Sequence, residues 1–359
     1  MEKLFEPFEI KGCRIRNRVC FPPMVYYGTG DDSGEVTEKH VEHYRALAAG
    51  GIGLIIQEAT CVSREGRLSF DQLGIWDDGK VNGLRKITDA VHQEGCPIFI
   101  QIHHAGAAGC GEELMCPSDY TFDSGKGTKT ARAMSLEEIR RVQEEFIAAG
   151  RRAYEAGYDG IELHGCHRYL ICEFLNRRVN RRDDIYGREP ERFVLEILEG
   201  IRRVTPPEFI VGIRLGAFEP SLEDGLRYAA VLQEHGIDFL DISYGFSGED
   251  ESWAPDGYPY QACIYGAARI KEQASVPVFA VNSIVTPQMA EEILETQKVD
   301  MVDLCRAVMV DYNWVNDAKA GRSTGMCRRC RPCGLRVRDG VCAGRVLLER
   351  ERAKEEKTC

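Results

Sequence analysis

YDGIELHGCHRYLICEFLNRRVNRRDDIYG, residues Tyr158 to Gly187, is the stretch around which the rest of the chain is organised. It begins as an apolar strand, and His164, His167 and Tyr169 follow within six residues of one another at the end of that strand. Two imidazoles and a phenol can donate hydrogen bonds or protons near neutral pH. The stretch therefore predicts a site at the carboxyl end of a buried strand.

Seven further β-rich runs lie on either side of this strand, and a helical pattern follows each one. The runs are apolar almost throughout, as expected for parallel strands that are covered on both faces. The eight predicted strands are Arg18–Met24, Gly53–Ala59, Pro97–His103, Gly157–His164, Phe209–Leu215, Asp238–Ser243, Val276–Val281 and Met301–Arg306. The eight predicted helices are Glu38–Ala49, Val81–Glu94, Glu137–Glu155, Glu191–Arg203, Leu222–His235, Tyr265–Gln273, Pro287–Glu295 and Asn313–Ala320.

This alternation predicts an α/β fold, a TIM (β/α)8 barrel, over residues 1–322, with a short cysteine-rich extension over residues 323–359. The alternative is a doubly wound sheet, which calls for a glycine-rich turn after its first strand. The sequence FPPMVYYG at that place does not supply such a turn. In a barrel of this kind the site lies at the carboxyl ends of the strands. Polar residues stand at nearly all of the predicted ends.

Composition and charge exclude several classes of protein. A net charge of −11 argues against nonspecific binding of nucleic acid, because no broad positive field is available. No apolar run approaches the roughly 20 residues needed to span a bilayer, and the amino terminus lacks the pattern of a secretory signal. We therefore expect a cytoplasmic protein that binds no membrane. It is a possible homo-oligomer.

Several motifs together resemble the old yellow enzyme family of flavin-dependent oxidoreductases. They are LFEPFEIKGCRIRNRVCFPPM at the start, Gly53–Ala59, Gln101 with the HHAG that follows, and HGCHRYLICEFLNRRVNRRDDIYG. They occur in the family's order on successive predicted strands. The resemblance covers almost the whole chain and implies FMN as the cofactor.

Side chains suited to FMN stand at the predicted strand ends. The amide of Gln101 can pair with the pyrimidine edge in both directions, and Arg214 places a cation where charge accumulates on the reduced flavin. Phosphate usually binds at the loops after strands seven and eight of a barrel. The resemblance also implies cofactor contacts at the end of the first strand. This chain departs from the family at Asn282 and Cys305, where glycines are usual. The predicted cofactor residues are Pro23, Met24, Val25, Ala59, Gln101, Arg214, Asn282, Ser283, Cys305 and Arg306.

The resemblance also implies roles in reduction of an activated alkene. His164 and His167 would bind the substrate carbonyl oxygen, and Tyr169 would donate the proton. A metal site at the two histidines is an alternative, although no third ligand is evident in the sequence. Arg168 replaces a residue that is usually small, and it either pairs with Asp183 or Asp184 or binds a substrate carboxylate. The predicted substrate residues are Tyr27, Arg168, Tyr244 and Trp253.

Four of the fifteen cysteines cluster near the end of the chain, at Cys327, Cys330, Cys333 and Cys342. Such clustering in a reducing compartment is usually a metal site, and both tetrathiolate zinc and an iron–sulfur cluster fit the residues. The tail resembles the dienoyl-CoA reductase and bile-acid reductase branch of the family, with shorter spacings, which implies a four-iron four-sulfur (4Fe–4S) cluster. Because no G-x-G-x-x-G follows the cysteines, we expect electrons from a separate reductase subunit, a ferredoxin-like carrier, or NAD(P)H acting directly or indirectly.

The sequence as a whole predicts an FMN-dependent ene-reductase that acts on an unsaturated carbonyl or carboxylate compound. Two alternatives stay open. One is an oxidative amine demethylase or dehydrogenase, whose cationic substrate would need an aromatic cage such as Tyr26, Tyr27, Tyr244 and Trp253. The other is an electron-transfer subunit of a larger flavoprotein complex.

Overall fold

Eight parallel strands pair in a closed ring in the computed structural model of the chain. Each strand pairs with its neighbour in the sequence, and the last pairs with the first through Val302 and Val19. The strands are β1 Val19–Phe21, β2 Leu54–Cys61, β3 Ile98–His103, β4 Gly160–Gly165, β5 Ile210–Gly216, β6 Phe239–Ser243, β7 Val278–Val281 and β8 Met301–Asp303. The ring confirms the TIM barrel and excludes the doubly wound sheet, which is open at both edges.

A helix follows every strand of the ring, as predicted. The eight helices are α1 Glu38–Ala49, α2 Val81–Gln93, α3 Leu136–Glu155, α4 Arg192–Val204, α5 Leu222–Glu234, α6 Ala262–Lys271, α7 Pro287–Thr296 and α8 Trp314–Lys319. The structure describes residues 1–26, 29–125, 127–246, 253–334 and 341–358, with side chains as far as residue 354.

Local sequence explains where two of these helices begin. Ser135 accepts a hydrogen bond from the amide of Glu138, whose carboxylate accepts one from the amide of Ser135 at 2.8 Å, so α3 starts with a capping box. The Thr286 side chain caps α7 by accepting a hydrogen bond from the amide of Met289, and Pro287 occupies the first helical position.

The amino-terminal end of the barrel is closed by apolar packing. Phe239 stacks on Phe279 with ring centroids 5.0 Å apart and lies 5.5 Å from Phe99. A hairpin of strands Phe8–Ile10 and Cys13–Ile15 covers these rings from below. Each fully buried phenylalanine contributes up to about 3 kcal/mol to folding. This end is therefore core, and it leaves the opposite end free for function.

Several elements were not predicted. They are the amino-terminal hairpin, a three-stranded sheet formed by Met115–Cys116, Tyr120–Asp123 and Thr128–Ala133, and the short helices Leu170–Leu175, Ile185–Arg188 and Arg306–Val310. The predicted first strand was too long, because Pro22 and Pro23 have no amide to donate to the sheet. The predicted eighth strand was also too long, because a helix begins at Arg306.

A carboxyl-terminal helix, Ala343–Thr358, packs against the end of the barrel. Arg345 donates to the carbonyls of Val310 at 3.2 Å and Met309 at 2.8 Å. Arg352 donates to the buried carboxylates of Asp311, at 2.8 Å, and Asp317. Within the described residues, no helix is long and apolar enough to cross a membrane.

Candidate active site

A cavity of about 350 Å³ opens at the carboxyl end of the barrel, which we call the barrel mouth. Its walls come from six strands of the ring, either from the strand ends or from the segments that follow them. The lining residues are Met24, His167, Arg214, Ser243, Tyr244, Val281, Asn282, Ser283, Ile284, Asp303, Cys305 and Arg306. The cavity therefore brings together six of the predicted cofactor residues, one predicted catalytic residue and one predicted substrate residue.

Three histidines form a hydrogen-bonded chain at the barrel mouth. The register that pairs Ile102 with Leu163 places His103 beside His164, and their Nδ1 atoms lie 3.0 Å apart. The Nε2 of His164 lies 3.0 Å from the Nδ1 of His167, whose own Nε2 lies 2.8 Å from the Oγ of Ser243. His164 and His167 were predicted from the sequence as site residues, but His103 was not.

All three imidazoles are neutral at neutral pH. Burial, followed by the neighbouring imidazoles, lowers the pKa of His103 and of His164 well below the usual value. Burial, followed by the charge of Arg214, lowers the pKa of His167 to about 3. Each ring therefore carries one protonated nitrogen, which can donate a hydrogen bond, and one unprotonated nitrogen, which can accept one. The contacts along the chain orient the three rings.

Tyr169 lies against this chain of histidines. His167 and Arg168 both have positive φ angles, of 59° and 65°, and the tight turn they form returns the backbone toward the barrel. Tyr169 then caps the helix Leu170–Leu175, and its ring meets those of His103 and His164 edge-on at centroid distances of 4.5 and 4.7 Å. The structure thus places the three predicted catalytic side chains together.

Gln101 lies one layer deeper, two residues before His103 on β3. Its amide nitrogen donates to the carboxylate of Glu162 at 2.7 Å, while its amide oxygen is buried without a hydrogen-bond partner. A buried acceptor of this kind is costly unless a ligand donates to it. The pyrimidine edge of FMN carries such a donor.

Arg214 forms ion pairs that were not predicted from the sequence. Its guanidinium forms buried salt bridges with Asp241 at 3.2 Å and Asp303 at 3.6 Å. Burial opposes its charge, but these two carboxylates and that of Glu162 outweigh this effect and raise the pKa of Arg214. Arg214 therefore presents a fixed cation to the cavity, and the carboxylates of Asp241 and Asp303 balance part of its charge.

The phosphate end of the predicted cofactor site lies at Asn282, Ser283 and Arg306. Asn282 has a φ of 104° and Ser283 a φ of 59°, so both adopt the left-handed conformation that favours glycine. The chain thus keeps a glycine-like backbone here although the side chains differ from the family's usual residues. Arg306 donates to the hydroxyl of Ser283 at 3.2 Å, which holds a cation beside these amides.

The remaining predicted cofactor residues lie around the first two strands. Ala59 is buried beside a bulge of β2, and its carbonyl accepts from Gln72 at 2.8 Å. Pro23 is half-buried and lies two residues after the end of β1, before Met24 and Val25. The sulfur of Met24 lies 3.1 Å from that of Cys305.

The predicted substrate residues do not all gather at one place. Trp253 stacks on Phe218 at 4.8 Å and lies 5.6 Å from Tyr244, so Tyr244 and Trp253 form one aromatic wall. Tyr26 instead stacks on His43 at 4.4 Å and does not line the barrel-mouth cavity. Tyr27 lies outside the described residues. Among the described residues, the aromatic cage expected for a cationic amine is therefore not assembled.

Arg168 is not paired with Asp184, which binds Arg182 instead. Its guanidinium lies between the rings of Phe246, at 5.1 Å, and Phe122, at 5.7 Å. This contact corrects the expected ion pair, and it has a simple cause, since a guanidinium stacks readily on aromatic faces. Arg168 thus lies at the rim of the barrel mouth, beside the three-stranded sheet.

A second cavity, of about 470 Å³, contains the cysteine cluster. It is lined by all four cysteines, together with Val25, Tyr26 and the arginines that separate the cysteines. Met24 and Arg306 line both this cavity and the barrel-mouth cavity. None of the four cysteines forms a disulfide. The donor set and the surrounding cations suit an anionic metal–thiolate centre next to the cofactor site.

Cys166 corrects the expectation that the two histidines lack a third metal ligand. The donor atoms of His164, Cys166 and His167 lie within 4.8 Å of one another. The two imidazoles are nevertheless engaged with each other and with Ser243, and burial raises the pKa of the Cys166 thiol well above its usual value. This arrangement favours hydrogen-bond donation to a ligand over metal binding.

Comparison with known proteins identifies the family of the chain. The model of the NADH:flavin oxidoreductase / NADH oxidase family matches residues 3–325. An NADPH dehydrogenase of Geobacillus sp. (strain WCH70) is 37% identical over 318 residues, which cover 87% of this chain and 92% of that protein. An NADPH dehydrogenase of Bacillus velezensis is 36% identical over 323 residues, which cover 88% and 94%.

Solved structures share the fold. An old yellow enzyme homologue from Zymomonas mobilis superposes with a TM-score of 0.77 at 25% identity, covering 91% of this chain and 95% of that one. A 2-naphthoyl-CoA reductase in complex with 2-naphthoyl-CoA gives 0.80 at 24% identity and covers 89% of this chain. Our chain spans about half (52%) of the length of that reductase. The chain belongs to the NADH:flavin oxidoreductase / NADH oxidase family and is a flavin-dependent oxidoreductase.

Proposed function

We propose that the protein is an FMN-dependent ene-reductase that reduces the activated C=C bond of an enone or enoate, with electrons entering through an iron–sulfur cluster. One observation carries this proposal. His164, His167 and Tyr169 converge beside a cavity that also exposes Arg214, and Gln101 lies in the layer beneath. A site that can bind a carbonyl oxygen, together with a proton donor, thus lies next to a cavity that can hold a flavin.

The residues at the barrel mouth fit FMN. The unpartnered amide oxygen of Gln101 and the cation of Arg214 suit the pyrimidine ring, and Pro23, Met24, Val25 and Ala59 would enclose the rest of the isoalloxazine. Asn282, Ser283, Cys305 and Arg306 would hold the phosphate through amides and a guanidinium. When bound and reduced, FMN supplies a hydride.

The protein's own side chains would stabilise charge and deliver a proton. His164 and His167 would donate hydrogen bonds to the substrate oxygen, where negative charge develops as the alkene is reduced. The Tyr169 hydroxyl would transfer its proton to the α-carbon and later regain one from solvent. Tyr244 and Trp253 would form an apolar wall of the substrate site.

The cysteines would hold a 4Fe–4S cluster, which supplies single electrons when bound. The second cavity, lined by Cys327, Cys330, Cys333 and Cys342, supports this assignment because it shares Met24 and Arg306 with the barrel mouth. We infer a donor that delivers electrons singly, such as a ferredoxin-like carrier or a separate reductase subunit. The relatives called NADPH dehydrogenases make direct reduction by NADPH the alternative.

Arg168 bears on the class of substrate. A residue with a φ of 65° would be less strained as glycine, and the buried Nε of Arg168 has no hydrogen-bond partner in the part of the chain that the structure describes. We expect Arg168 to favour substrates with a free carboxylate. Since the residue is only half-buried, the preference is worth at most about 1 kcal/mol, or roughly fivefold in KM.

Paired substrates test this role. Arg168→Ala should raise the KM of an enoate acid by that factor while leaving the KM of its methyl ester unchanged, and Arg181→Ala, on an exposed residue, serves as the control. An equal KM for acid and ester in the wild type and in Arg168→Ala would contradict it.

One experiment tests the function as a whole. The protein is purified anaerobically with its cofactors, and its reduced form is mixed with enones and enoates and its oxidised form with methylated amines while flavin absorbance and products are recorded. We expect enones or enoates to reoxidise the flavin and to appear as saturated products. Reduction of the oxidised flavin by a methylated amine would support a demethylase instead. Reduction of flavin and cluster without any organic turnover would indicate an electron-transfer subunit.

A further inference from the structure

His103 lies behind both of the side chains to which we assign the chemistry. It is fully buried, its Nδ1 faces the Nδ1 of His164 at 3.0 Å, and its ring meets that of Tyr169 edge-on. Among the described residues, its Nε2 has no hydrogen-bond partner. Within that part of the chain the side chain therefore has a single hydrogen-bonding contact, which is with His164.

The contact limits where the protons of these rings can lie. Two neutral imidazoles whose Nδ1 atoms face each other share one hydrogen between those atoms, because two hydrogens would collide and none would leave two lone pairs opposed. If His103 carries it, His164 must carry its own proton on Nε2. If His164 carries it, the Nε2 of His164 is a bare acceptor.

The remaining contacts decide between the two arrangements. In the second, the proton of His103 lies on its buried Nε2, and this N–H has no acceptor. Buried N–H groups without acceptors are rare and cost free energy. In the first arrangement only a lone pair is unsatisfied, and each N–H has a partner, from His103 through His164 and His167 to Ser243.

We propose that His103 is a positioning residue that holds His164 in the tautomer protonated on Nε2, so that the N–H that donates to His167 in the free protein is one that the substrate oxygen can accept when it binds. This inference deepens the proposed ene-reductase function and rests on it for the identity of the ligand. The same order protonates His167 on Nε2, which donates to the hydroxyl of Ser243 in the free protein. If His164 were protonated on Nδ1 instead, the lone pair of its Nε2 would face the negative charge that develops on the substrate oxygen and would repel it.

Nitrogen NMR of the oxidised holoenzyme, labelled with ¹⁵N in its eight histidines, tests the tautomer directly. We expect His164 to show a protonated Nε2 and a bare Nδ1 between pH 6 and 8, and loss of its signals in His164→Gln provides the assignment. His103→Phe keeps the volume and removes the donor, and it should give a mixture of His164 tautomers. His103→Asn replaces Nδ1 with an amide nitrogen and should restore the wild-type tautomer.

Kinetics should follow the spectra. We expect the kcat of alkene reduction to fall roughly 10²-fold in His103→Phe, the size associated with losing one oriented donor, and to recover in His103→Asn. A His164 protonated on Nδ1 in the wild type would overturn the proposal, as would a wild-type tautomer and kcat in His103→Phe. The tautomer is read without turnover, so failure to reduce any alkene would count against the proposed function and leave this result standing.

Discussion

The barrel mouth and the cysteine tail, residues Cys327 to Cys342, differ in what fixes their functional side chains. At the mouth, strand register sets His103 and Gln101 against His164 and Glu162, and hydrogen bonds link these pairs without any ligand. In the tail the four cysteines form no disulfide, three are half-buried, and Cys330 is exposed. The mouth is thus organised by the fold itself, whereas the geometry of the tail depends on what the thiols bind.

Removal of cluster ligands should have the largest effect, and it would affect the tail alone. We expect Cys330→Ala with Cys333→Ala to lose bound iron and sulfide, and turnover with a one-electron donor to fall to background. FMN should remain bound at full stoichiometry, because its predicted ligands lie on the barrel. Metal analysis and absorption spectra provide the measurement, and Cys110→Ser, on a half-buried cysteine outside the tail, is the control. Full iron content in the double variant, or zinc in the wild type, would contradict the iron–sulfur assignment.

Tyr169→Phe should have the next largest effect, confined to the mouth. Loss of the proton donor should slow reoxidation of the reduced flavin by an enone about 10²- to 10⁴-fold, because proton transfer contributes that much to such reactions. The rate of flavin reduction should not change, since this step does not use the phenol. Stopped-flow absorbance separates the two half-reactions, and Tyr154→Phe, on the exposed face of α3, is the control. An unchanged rate of reoxidation would remove Tyr169 from the mechanism.

The layers of the barrel mouth show how much the sequence could predict. Side chains two residues apart on a strand face the same side, so Gln101 on β3 already indicated that His103 points inward. The same rule relates Glu162 to His164 and Asp241 to Ser243. The eight strands and helices were predictable because apolar runs and capping residues are local signals. The register that brings His103 to His164 was not predictable, and neither was the closure of the ring that brings Asp303 to Arg214, because both depend on how distant strands meet.

Backbone conformation accounts for other differences from the sequence prediction. Asn282 looked like a departure from the glycine that the family usually has, yet its φ of 104° keeps the glycine-like conformation. Arg168 looked like a partner for Asp183 or Asp184, but the positive φ at residues 167 and 168 turns its side chain toward Phe122 and Phe246. The positive φ angles in these two turns could not be predicted from side-chain identity alone.

Glu58 should make the stability of the mouth depend on pH. Burial raises the pKa of this carboxyl to about 7, although it accepts hydrogen bonds from the amide of Tyr26 and the hydroxyl of Tyr44. Between the unfolded pKa near 4.5 and about 7 the folded state holds the extra proton, so stability falls as pH rises through that window. The loss is of the order of 3 kcal/mol.

Glu58→Gln removes this titration. Urea unfolding at pH 5 and pH 8 should show the variant gaining stability relative to the wild type at the higher pH, by up to that amount. Glu94→Gln, on a carboxylate at the protein surface, is the matched control and should track the wild type at both values. Parallel pH dependence in the wild type and Glu58→Gln would show that Glu58 ionises without cost.

Arg352→Ala should have the smallest effect, and it tests whether mouth and tail are separate units of stability. Arg352 bridges the buried carboxylates of Asp311 and Asp317 and also donates to the carbonyl of Ser323 at 3.2 Å, so it fastens the terminal helix to the barrel. Hydrogen bonds to charged groups contribute about 1.5–3 kcal/mol. Amides of the terminal helix should therefore exchange with solvent about 10- to 100-fold faster in the variant, while the amides of β3 and β4 keep their protection.

Hydrogen exchange read by mass spectrometry makes this measurement, with the exposed Arg350→Ala as control. If β3 and β4 lost protection in parallel with the terminal helix, then mouth and tail would unfold as one cooperative unit. The order of the histidine chain would in that case depend on the tail, and the contrast between a preformed mouth and a ligand-dependent tail would fail. Faster exchange confined to the terminal helix would mean that the helix holds the cysteines near Met24 and Arg306 without contributing to the order of the catalytic side chains.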